Sequence, residues 1–299
     1  MPLFSNDALA QKWLVPLHGG DSRARISSDD VDAVVIVFAW SGGSVTAQKN
    51  WTEALGAAFC KKTGKNRLLV LGVELPGRRL RFGEPVVETF AAYRDTATKV
   101  LLGAKLDDGT PLLEAAPYFL AGYSLGSLAA HQVSQNLERS AAAASPAGYI
   151  MIACTNPKVY YDGIRSAPKK SEYSIDDVAD LLRRQGGTPE ELLNDRDMLQ
   201  YFLPPIMGDY KICESYDMSN GRWDYGDFNA EYKLSCPVFI AGGDSDEFVP
   251  VETLEAWKQA TMAVSAGPHL FPGGHFFVNE SFEALATKVL DFILSSSAL

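Results

Sequence analysis

The chain has 299 residues, with 27 Lys and Arg against 37 Asp and Glu, which gives a net charge of −10 at pH 7. Hydrophobic residues make up 46% of the chain and charged residues 21%, a balance typical of folded globular domains and too apolar for a disordered chain. Because an acidic chain repels phosphate, binding to nucleic acid through bulk positive charge is excluded.

The longest apolar run, at residues 33–40, is far shorter than the roughly 20 residues that a bilayer requires, so we expect no membrane span. The first residues lack the cationic and apolar regions of a signal peptide, and none is expected. The four cysteines include no Cys-x-x-Cys pair, which gives a zinc or redox site little support. Scattered cysteines of this kind fit a reducing compartment, so the expected localisation is cytoplasmic.

Short apolar, β-branched segments alternate with helical patterns along the chain. Strands are predicted at 34–38, 68–71, 118–121, 149–153, 238–241 and 269–271, and helices at 48–61, 90–103, 125–137, 251–261 and 282–293. The strand segments are continuously apolar, as in strands buried on both faces. The pattern predicts an α/β fold, with a mostly parallel central sheet and helices on both faces. Residues 12–32 can add an antiparallel hairpin at the sheet edge.

Residues 157–212 interrupt this alternation and are predicted as a helical lid insertion between two parts of the core, 1–156 and 213–299; ordinary packing helices are the alternative. Three helix starts are expected: Ser174 with Asp177 as a capping box, Thr188 with Pro189 and Glu191, and Asn194 or Asp195. The first helix should end at Gly186-Gly187 and the third at Pro204-Pro205.

The segment Gly122-Tyr123-Ser124-Leu125-Gly126 carries the strongest chemical signal. It directly follows one predicted strand and directly precedes a helix, the setting of a nucleophile elbow in which small residues flank a serine. A serine hydroxyl needs a general base to act as a nucleophile at neutral pH. Ser124 is therefore the candidate nucleophile.

His275 is the candidate base among the four histidines of the chain. It follows a Gly-Gly bend after the last predicted strand, whereas His131 lies about 10 Å along the helix from Ser124, too far for a hydrogen bond. The orienting acid is expected in the loop after the strand at 238–241. Asp246 is favoured by its Val-Pro context, and Asp244 is the alternative, with a turn-forming role the more natural one for its side chain.

The oxyanion of an acyl-transfer intermediate needs N–H donors. One expected donor is the backbone N–H of Leu125, directly after the nucleophile. The other is assigned to Ser41, with Trp40 as the alternative, in the glycine-containing loop that follows the strand at 34–38. The chain contains neither GxGxxG nor GxxxxGK[ST], so a phosphate-binding loop is disfavoured here.

Together these residues resemble the stand-alone type II thioesterases of polyketide, non-ribosomal peptide and fatty acid synthesis, from about residue 13 to the C-terminus. The matching segments are FAWSGGS (38–44), ELPGR (74–78) with RFGEP (81–85), GYSLG (122–126), RRQGGTPE (183–190), LPPIMGDY (203–210) with ESY (214–216) and FPGGHFF (271–277). The family has Pro-His where Ala39-Trp40 stands, and His where Tyr123 stands. The family triad falls on the same Ser124, Asp246 and His275.

The resemblance implies an α/β-hydrolase fold and a serine hydrolase that cleaves acyl thioesters from the phosphopantetheine arm of an acyl or peptidyl carrier protein. Its role would be editing or product release, with no metal and no bound cofactor. The alternatives are a carboxylesterase or acyltransferase acting on small acyl esters or acyl-CoA, and an inactive hydrolase fold used for binding. Because carrier proteins are typically acidic, docking requires local positive charge. Candidates are Arg78, Arg79, Arg81, Arg183, Arg184, Lys169 and Lys170.

Overall fold

The computed structural model describes residue 4 and residues 7–19, 25–216, 223–224, 227–228 and 232–296. The strands are β1 Leu14–His18, β2 Ala33–Phe38, β3 Leu68–Val73, β4 Tyr118–Tyr123, β5 Gly148–Ile152, β6 Trp223–Asp224, β7 Asp227–Phe228, β8 Val238–Gly243 and β9 Ser265–Phe271. The α-helices are α1 Ala8–Trp13, α2 Lys49–Thr63, α3 Phe90–Gly103, α4 Leu125–Arg139, α5 Pro157–Ser166, α6 Ile175–Gln185, α7 Glu190–Asn194, α8 Arg196–Glu214, α9 Val251–Glu255 and α10 Val278–Ser296.

Seven of these strands form one sheet in the order β1-β3-β2-β4-β5-β8-β9, and β6 and β7 form a separate pair. All neighbours in the large sheet run parallel except β1, which pairs antiparallel with β3 at the edge. The predicted mostly parallel sheet is confirmed. The predicted antiparallel element at the sheet edge is confirmed as the single strand β1, which follows directly on α1, but the described part of residues 12–32 has no second strand to form a hairpin.

Burial of the sheet on both faces explains why its strands are continuously apolar. Alternate residues of β2 enter two different cores: Ile36 packs with α3 and α4 on one face, and Val35 packs with α2 and α10 on the other. Parallel strands with helices on both faces bring all their carboxyl ends to one edge of the sheet. The loops after β2, β4, β8 and β9 therefore meet at that edge.

The helical segments between β5 and β8 follow the sequence prediction in part. Helix α6 begins with the expected capping box, in which Ser174 and Asp177 exchange hydrogen bonds, and Gly186 stands at its C-cap. Asp195 caps α8 by accepting from the Met198 N–H. Thr188, however, is not a cap: Pro189, with an extended ψ of 138°, directly precedes α7, so that helix begins one residue beyond the proline.

The expected helix end at Pro204-Pro205 is also wrong. Helix α8 continues through both prolines to Glu214, beyond the predicted lid boundary at residue 212. Proline has a helical φ, and its cost in a helix is a missing N–H donor and crowding of the preceding turn. Burial of the helix beyond the prolines offsets that cost, since Ile206 and Ile212 are almost inaccessible to solvent.

None of the helices in the described part of the chain has both the length and the apolar character needed to cross a membrane.

Candidate active site

Ser124 lies in a sharp turn between β4 and α4, with φ 54° and ψ −120°. A positive φ is uncommon for a residue with a side chain, and here it projects the serine out of the turn. The flanking glycines are required by contact: a Cβ on Gly122 would lie 2.3 Å from the Gly126 carbonyl oxygen, and one on Gly126 would lie 2.2 Å from that of Phe38. This is the strained strand–turn–helix geometry expected of a nucleophile elbow.

The structure brings Ser124, His275 and Asp246 together from three loops at the carboxyl edge of the sheet. His275 Nε2 lies 3.2 Å from Ser124 Oγ, and His275 Nδ1 lies 2.8 Å from Asp246 Oδ2. The imidazole and the carboxylate are buried, while Ser124 is half-buried. The imidazole therefore has one nitrogen on the carboxylate and the other on the serine hydroxyl, which is the arrangement of a general base.

The remaining histidines lie in other surroundings. His131 is buried on α4 against the rings of Tyr149 and Trp257. His18 lies 2.9 Å from the side-chain oxygen of Asn66, and His269 stacks on Phe239. None of these three histidines contacts Ser124 in the described structure.

The two acids in the loop after β8 have different partners. Asp246 Oδ1 accepts hydrogen bonds from the N–H groups of Phe248 and Val249, which leaves Oδ2 for His275. Asp244 instead accepts from the Ser245 hydroxyl and from the Gly273 N–H. These two hydrogen bonds lower the pKa of Asp244, in that order of effect. Asp244 therefore holds the turn, and Asp246 holds the imidazole.

Leu125 and Ser41 both line the same cavity as Ser124 and His275. Within the described chain, neither backbone N–H donates to another protein group. The loop that contains Ser41, here termed the oxyanion loop (residues 39–44), packs beside the elbow, since the Phe38 and Ala39 carbonyls lie against Gly126. The two N–H groups are thus available to a substrate oxygen.

A cavity of about 370 Å³ opens beside Ser124 and His275. Its wall is largely apolar and aromatic, with residues from α5, α8 and the β8 and β9 loops: Val159, Tyr160, Ile164, Tyr210, Phe248 and Phe276. Burial raises the pKa of the Cys213 thiol in this wall to about 11, and raises that of Cys154 well above its usual value. Both thiols are neutral near pH 7, so neither is an activated nucleophile.

Two positions at which the sequence departs from the resembled family contact each other next to the site. The rings of Trp40 and Tyr123 meet edge to face with centroids 5.1 Å apart, and Trp40 makes the same kind of contact with Phe276. The Tyr123 hydroxyl donates a hydrogen bond to the backbone carbonyl of His275. Tyr123 therefore stabilises the loop that carries the His275 imidazole. The sequence around Tyr123 and around His275 gave no sign of this contact.

The cluster of arginines in the sequence makes Arg78 a candidate for carrier docking, but the structure places its side chain in the interior. Its side chain is 9% exposed and forms a buried ion pair with Asp209 of α8. Burial of a guanidinium is tolerated because the carboxylate faces it at 2.8 Å. Arg78 is therefore not available to a partner protein, and sequence reasoning missed its link to α8.

Similarity to known proteins identifies the family of this chain. A family model, thioesterase domain, matches residues 33–295. The "probable cadicidin biosynthesis thioesterase" of Streptomyces griseus is 26% identical over 292 residues, covering 96% of this chain and 68% of that protein. Thioesterase PikA5 of Streptomyces venezuelae is 28% identical over 229 residues, covering 75% of this chain and 71% of that protein.

Among solved structures, YbtT, a type II thioesterase from the yersiniabactin NRPS/PKS pathway, aligns with a TM-score of 0.71 at 20% identity, covering 95% of this chain and 99% of that one. This likeness confirms the predicted α/β-hydrolase fold. The family match extends over most of the sheet and over all three loops that carry Ser124, Asp246 and His275. The chain therefore belongs to the thioesterase domain family.

Proposed function

We propose that this thioesterase is of the stand-alone type II kind and hydrolyses acyl groups from the phosphopantetheine arm of an acyl or peptidyl carrier protein. The observation that carries the chemistry is the continuous line of hydrogen-bond contacts from Asp246 through His275 to Ser124 at the mouth of an apolar cavity. The similarity to YbtT, a type II thioesterase from an NRPS/PKS biosynthetic pathway, supports the substrate class.

In the first half-reaction, Ser124 Oγ attacks the thioester carbonyl while His275 Nε2 accepts the hydroxyl proton. The carbonyl oxygen becomes an oxyanion that the N–H groups of Leu125 and Ser41 bind; Trp40 remains the alternative second donor. Collapse of this intermediate breaks the C–S bond, and the proton on His275 passes to the departing thiol. Asp246 keeps the imidazole in the tautomer that can accept at Nε2 and stabilises its protonated form.

In the second half-reaction, water attacks the acyl-serine ester, and His275 accepts a proton from that water. The free acid leaves when the Ser124 oxygen takes the proton back. The apolar wall formed by α5 and α8 binds the acyl chain. The cavity volume of about 370 Å³ lies in the range of small-molecule pockets. The helices between β5 and β8 act as the lid of this pocket. Editing of stalled acyl groups and release of product are both served by this reaction.

Ser124→Ala tests the mechanism, and the choice of acyl donor tests the substrate class. A fluorophosphonate probe should label the wild-type enzyme at Ser124 alone, and the variant should lose about 10⁴- to 10⁶-fold in turnover, as with other serine triads. Labelling at another serine, or an active variant, would refute the mechanism.

The same preparation is then assayed with one acyl group presented as acyl-carrier protein, acyl-CoA and p-nitrophenyl ester. Higher kcat/KM for the carrier-bound thioester supports the proposal. Equal or better turnover of the small ester or of acyl-CoA would favour the carboxylesterase or acyltransferase alternative. Mass spectrometry of the acids released from a panel of loaded carriers then identifies the acyl preference.

A further inference from the structure

A buried ion pair outside the triad joins helix α8 to the oxyanion loop. Arg78 Nη2 lies 2.8 Å from Asp209 Oδ1, and Arg78 Nη1 lies 3.1 Å from Asp209 Oδ2, so the contact is bidentate. The Asp209 side chain is 1% exposed. Neither residue lines the cavity that contains Ser124. Because neither side chain borders the cavity, burial of this charged pair indicates a role other than substrate binding.

The same two side chains hold the backbone of the oxyanion loop. The Gly42 N–H donates to Asp209 Oδ2 at 2.7 Å, and Arg78 Nη1 donates to the Gly43 carbonyl oxygen at 2.7 Å. Hydrogen bonds between charged and neutral groups are stronger than those between neutral groups, and burial protects them from competition with water. Asp209 therefore holds the Gly42 N–H and Arg78 holds the Gly43 carbonyl, while the ion pair keeps both side chains in place.

The loop itself is a tight turn whose shape determines the direction of the Ser41 N–H. The Gly43 N–H donates to the Trp40 carbonyl at 3.0 Å, and Gly42 has φ +79° while the φ of Ser41 is not positive. These are the features of a type II turn. The Trp40 carbonyl and the Ser41 N–H belong to one planar trans peptide and point in opposite directions. A displacement of the turn that moves the Trp40 carbonyl away from the Gly43 N–H therefore reorients the Ser41 N–H.

We propose that Asp209 is a positioning residue for catalysis: through the Gly42 N–H and Arg78 it holds the turn that aims the Ser41 N–H at the oxyanion. This inference rests on the proposed function, since it assigns the Ser41 N–H its role there. It adds that a residue of the lid insertion, which never touches substrate, controls stabilisation of the tetrahedral intermediate. The oxyanion hole is complete only while the C-terminal half of α8 is seated on the core.

A trifluoromethyl ketone distinguishes this role from a purely structural one. A medium-chain alkyl trifluoromethyl ketone accepts the Ser124 oxygen and forms a hemiketal oxyanion, while the proton passes to His275. The matching secondary alcohol fills the same pocket and forms no adduct. Removal of one oxyanion donor costs about 10²- to 10³-fold, and a misaligned donor should cost part of that. Asp209→Ala should therefore lower ketone affinity and kcat/KM together by about 10- to 100-fold, with the KM of an acyl thioester and the affinity for the alcohol within about twofold of wild type.

Asp209→Asn covers the case in which the alanine variant fails to fold. It retains the side-chain shape but removes the negative charge, and its NH₂ group replaces one of the two oxygens that now accept from Arg78 and the Gly42 N–H. A smaller loss in the same two readouts is therefore expected. The matched control is Asp107→Asn. Asp107 accepts from the Ile26 N–H in a loop at the amino ends of the strands, and its loss should leave both affinities unchanged.

The outcomes separate the two levels of the proposal. Wild-type ketone affinity in a folded Asp209 variant, or equal losses for ketone and alcohol, would overturn the positioning role. A wild-type enzyme that forms no ketone adduct by ¹⁹F NMR, or a Ser124→Ala variant that still forms it, would instead overturn the proposed serine mechanism. Loss confined to the ketone and to kcat, with both wild-type controls as expected, supports the assignment of Asp209.

Discussion

Asp246 and Asp244 lie in the same loop, and their substitution should have very different consequences. Asp246→Asn removes the charge that faces His275 Nδ1 and leaves the imidazole free to adopt the wrong tautomer. We expect a loss of about 10³- to 10⁴-fold in kcat, comparable to the known effect of this change in serine triads. Asp244→Asn weakens a turn and should cost less than about tenfold, because a neutral side chain can still accept from the Gly273 N–H. Steady-state kinetics of both variants on one acyl thioester provide the comparison, and equal losses would contradict the assignment of the acid.

Glu74, which accepts a hydrogen bond from Ser44 at the end of the oxyanion loop, offers a test of stability against pH. Burial raises the pKa of this carboxyl above its ordinary value of 4.5, against the opposing effects of the Ser44 hydroxyl, Arg78 and Arg79. Because the folded state binds the proton more tightly than the unfolded state, Glu74 contributes most to stability below pH 4.5 and loses that contribution as the pH rises through its folded-state pKa. Glu74→Gln does not titrate. The melting temperature of the wild type minus that of the variant should therefore fall as the pH rises from about 4.5, then level off. A difference independent of pH from 4 to 8 would contradict the raised pKa.

At this scale the sequence predicts residues whose chemistry depends on local context and misses those that depend on distant partners. Ser124 and His275 could be chosen because a turn motif and a Gly-Gly bend lie next to them in the chain. Tyr123, Arg78 and Asp209 act through contacts over long sequence separations, such as the 131 residues between Arg78 and Asp209. Only the folded chain shows that an arginine in a surface-like cluster is buried.

Helix α8 differs from α6 and α7 in how it is held. Its C-terminal half joins the main core through Ile212 and is tied to the oxyanion loop through Asp209. Among the residues that the structure describes, α6 and α7 pack in two small clusters, around Val178 and Leu193. The insertion therefore divides into a firmly seated part and a part held by modest packing. If a lid opens, its hinge lies before the middle of α8.

Hydrogen–deuterium exchange can test this division. Amides of α6 and α7 should exchange faster than those of β4, since segments with few buried apolar contacts open locally at low free energy. Amides at the C-terminal half of α8 should be protected nearly as well as the strand. Uniform protection across α6, α7 and β4 would rule out a lid of this kind, and rapid exchange at both ends of α8 would move the hinge beyond Asp209.

The same division explains which elements sequence patterns predicted well. In core strands and in helices such as α3, the spacing of apolar residues is the strongest pattern in the sequence. The predicted range 90–103 accordingly coincides with the observed helix. Within the insertion, local signals compete. The proline pair near the centre of α8 predicts a helix end, and tertiary burial of Ile206 and Ile212 overrides it. Local residue spacing does not show burial against a part of the core that is distant in the sequence. The prediction of a helix end at the prolines of α8 is therefore wrong.

On the scale of the whole molecule, charge is the constraint on carrier docking. The chain has a net charge of −10, so the proposed acidic carrier would have to approach through a locally positive surface. Arg183 is engaged with Asp180 and Glu190, whereas the exposed Arg184 forms no ion pair within the described residues. Arg184 lines a shallow cleft that shares Pro168 with the catalytic cavity. Under the proposed function, a cation in a cleft that adjoins the catalytic cavity would meet a carrier whose arm must reach Ser124.

Arg184→Glu should therefore raise KM for an acyl-carrier protein while leaving hydrolysis of a p-nitrophenyl ester unchanged. Exposed charge pairs contribute about 0.2–1 kcal/mol, and reversal of the charge adds repulsion, so an increase of about three- to tenfold is expected at low salt. The increase should shrink as salt rises above 0.1 M, where charges separated by more than about 10 Å are screened. Lys62→Glu, an exposed reversal on α2, is the control and should change KM little. An unchanged KM for the carrier substrate, or an equal rise in both variants, would remove Arg184 from the docking surface, because a general change in net charge would then account for the effect.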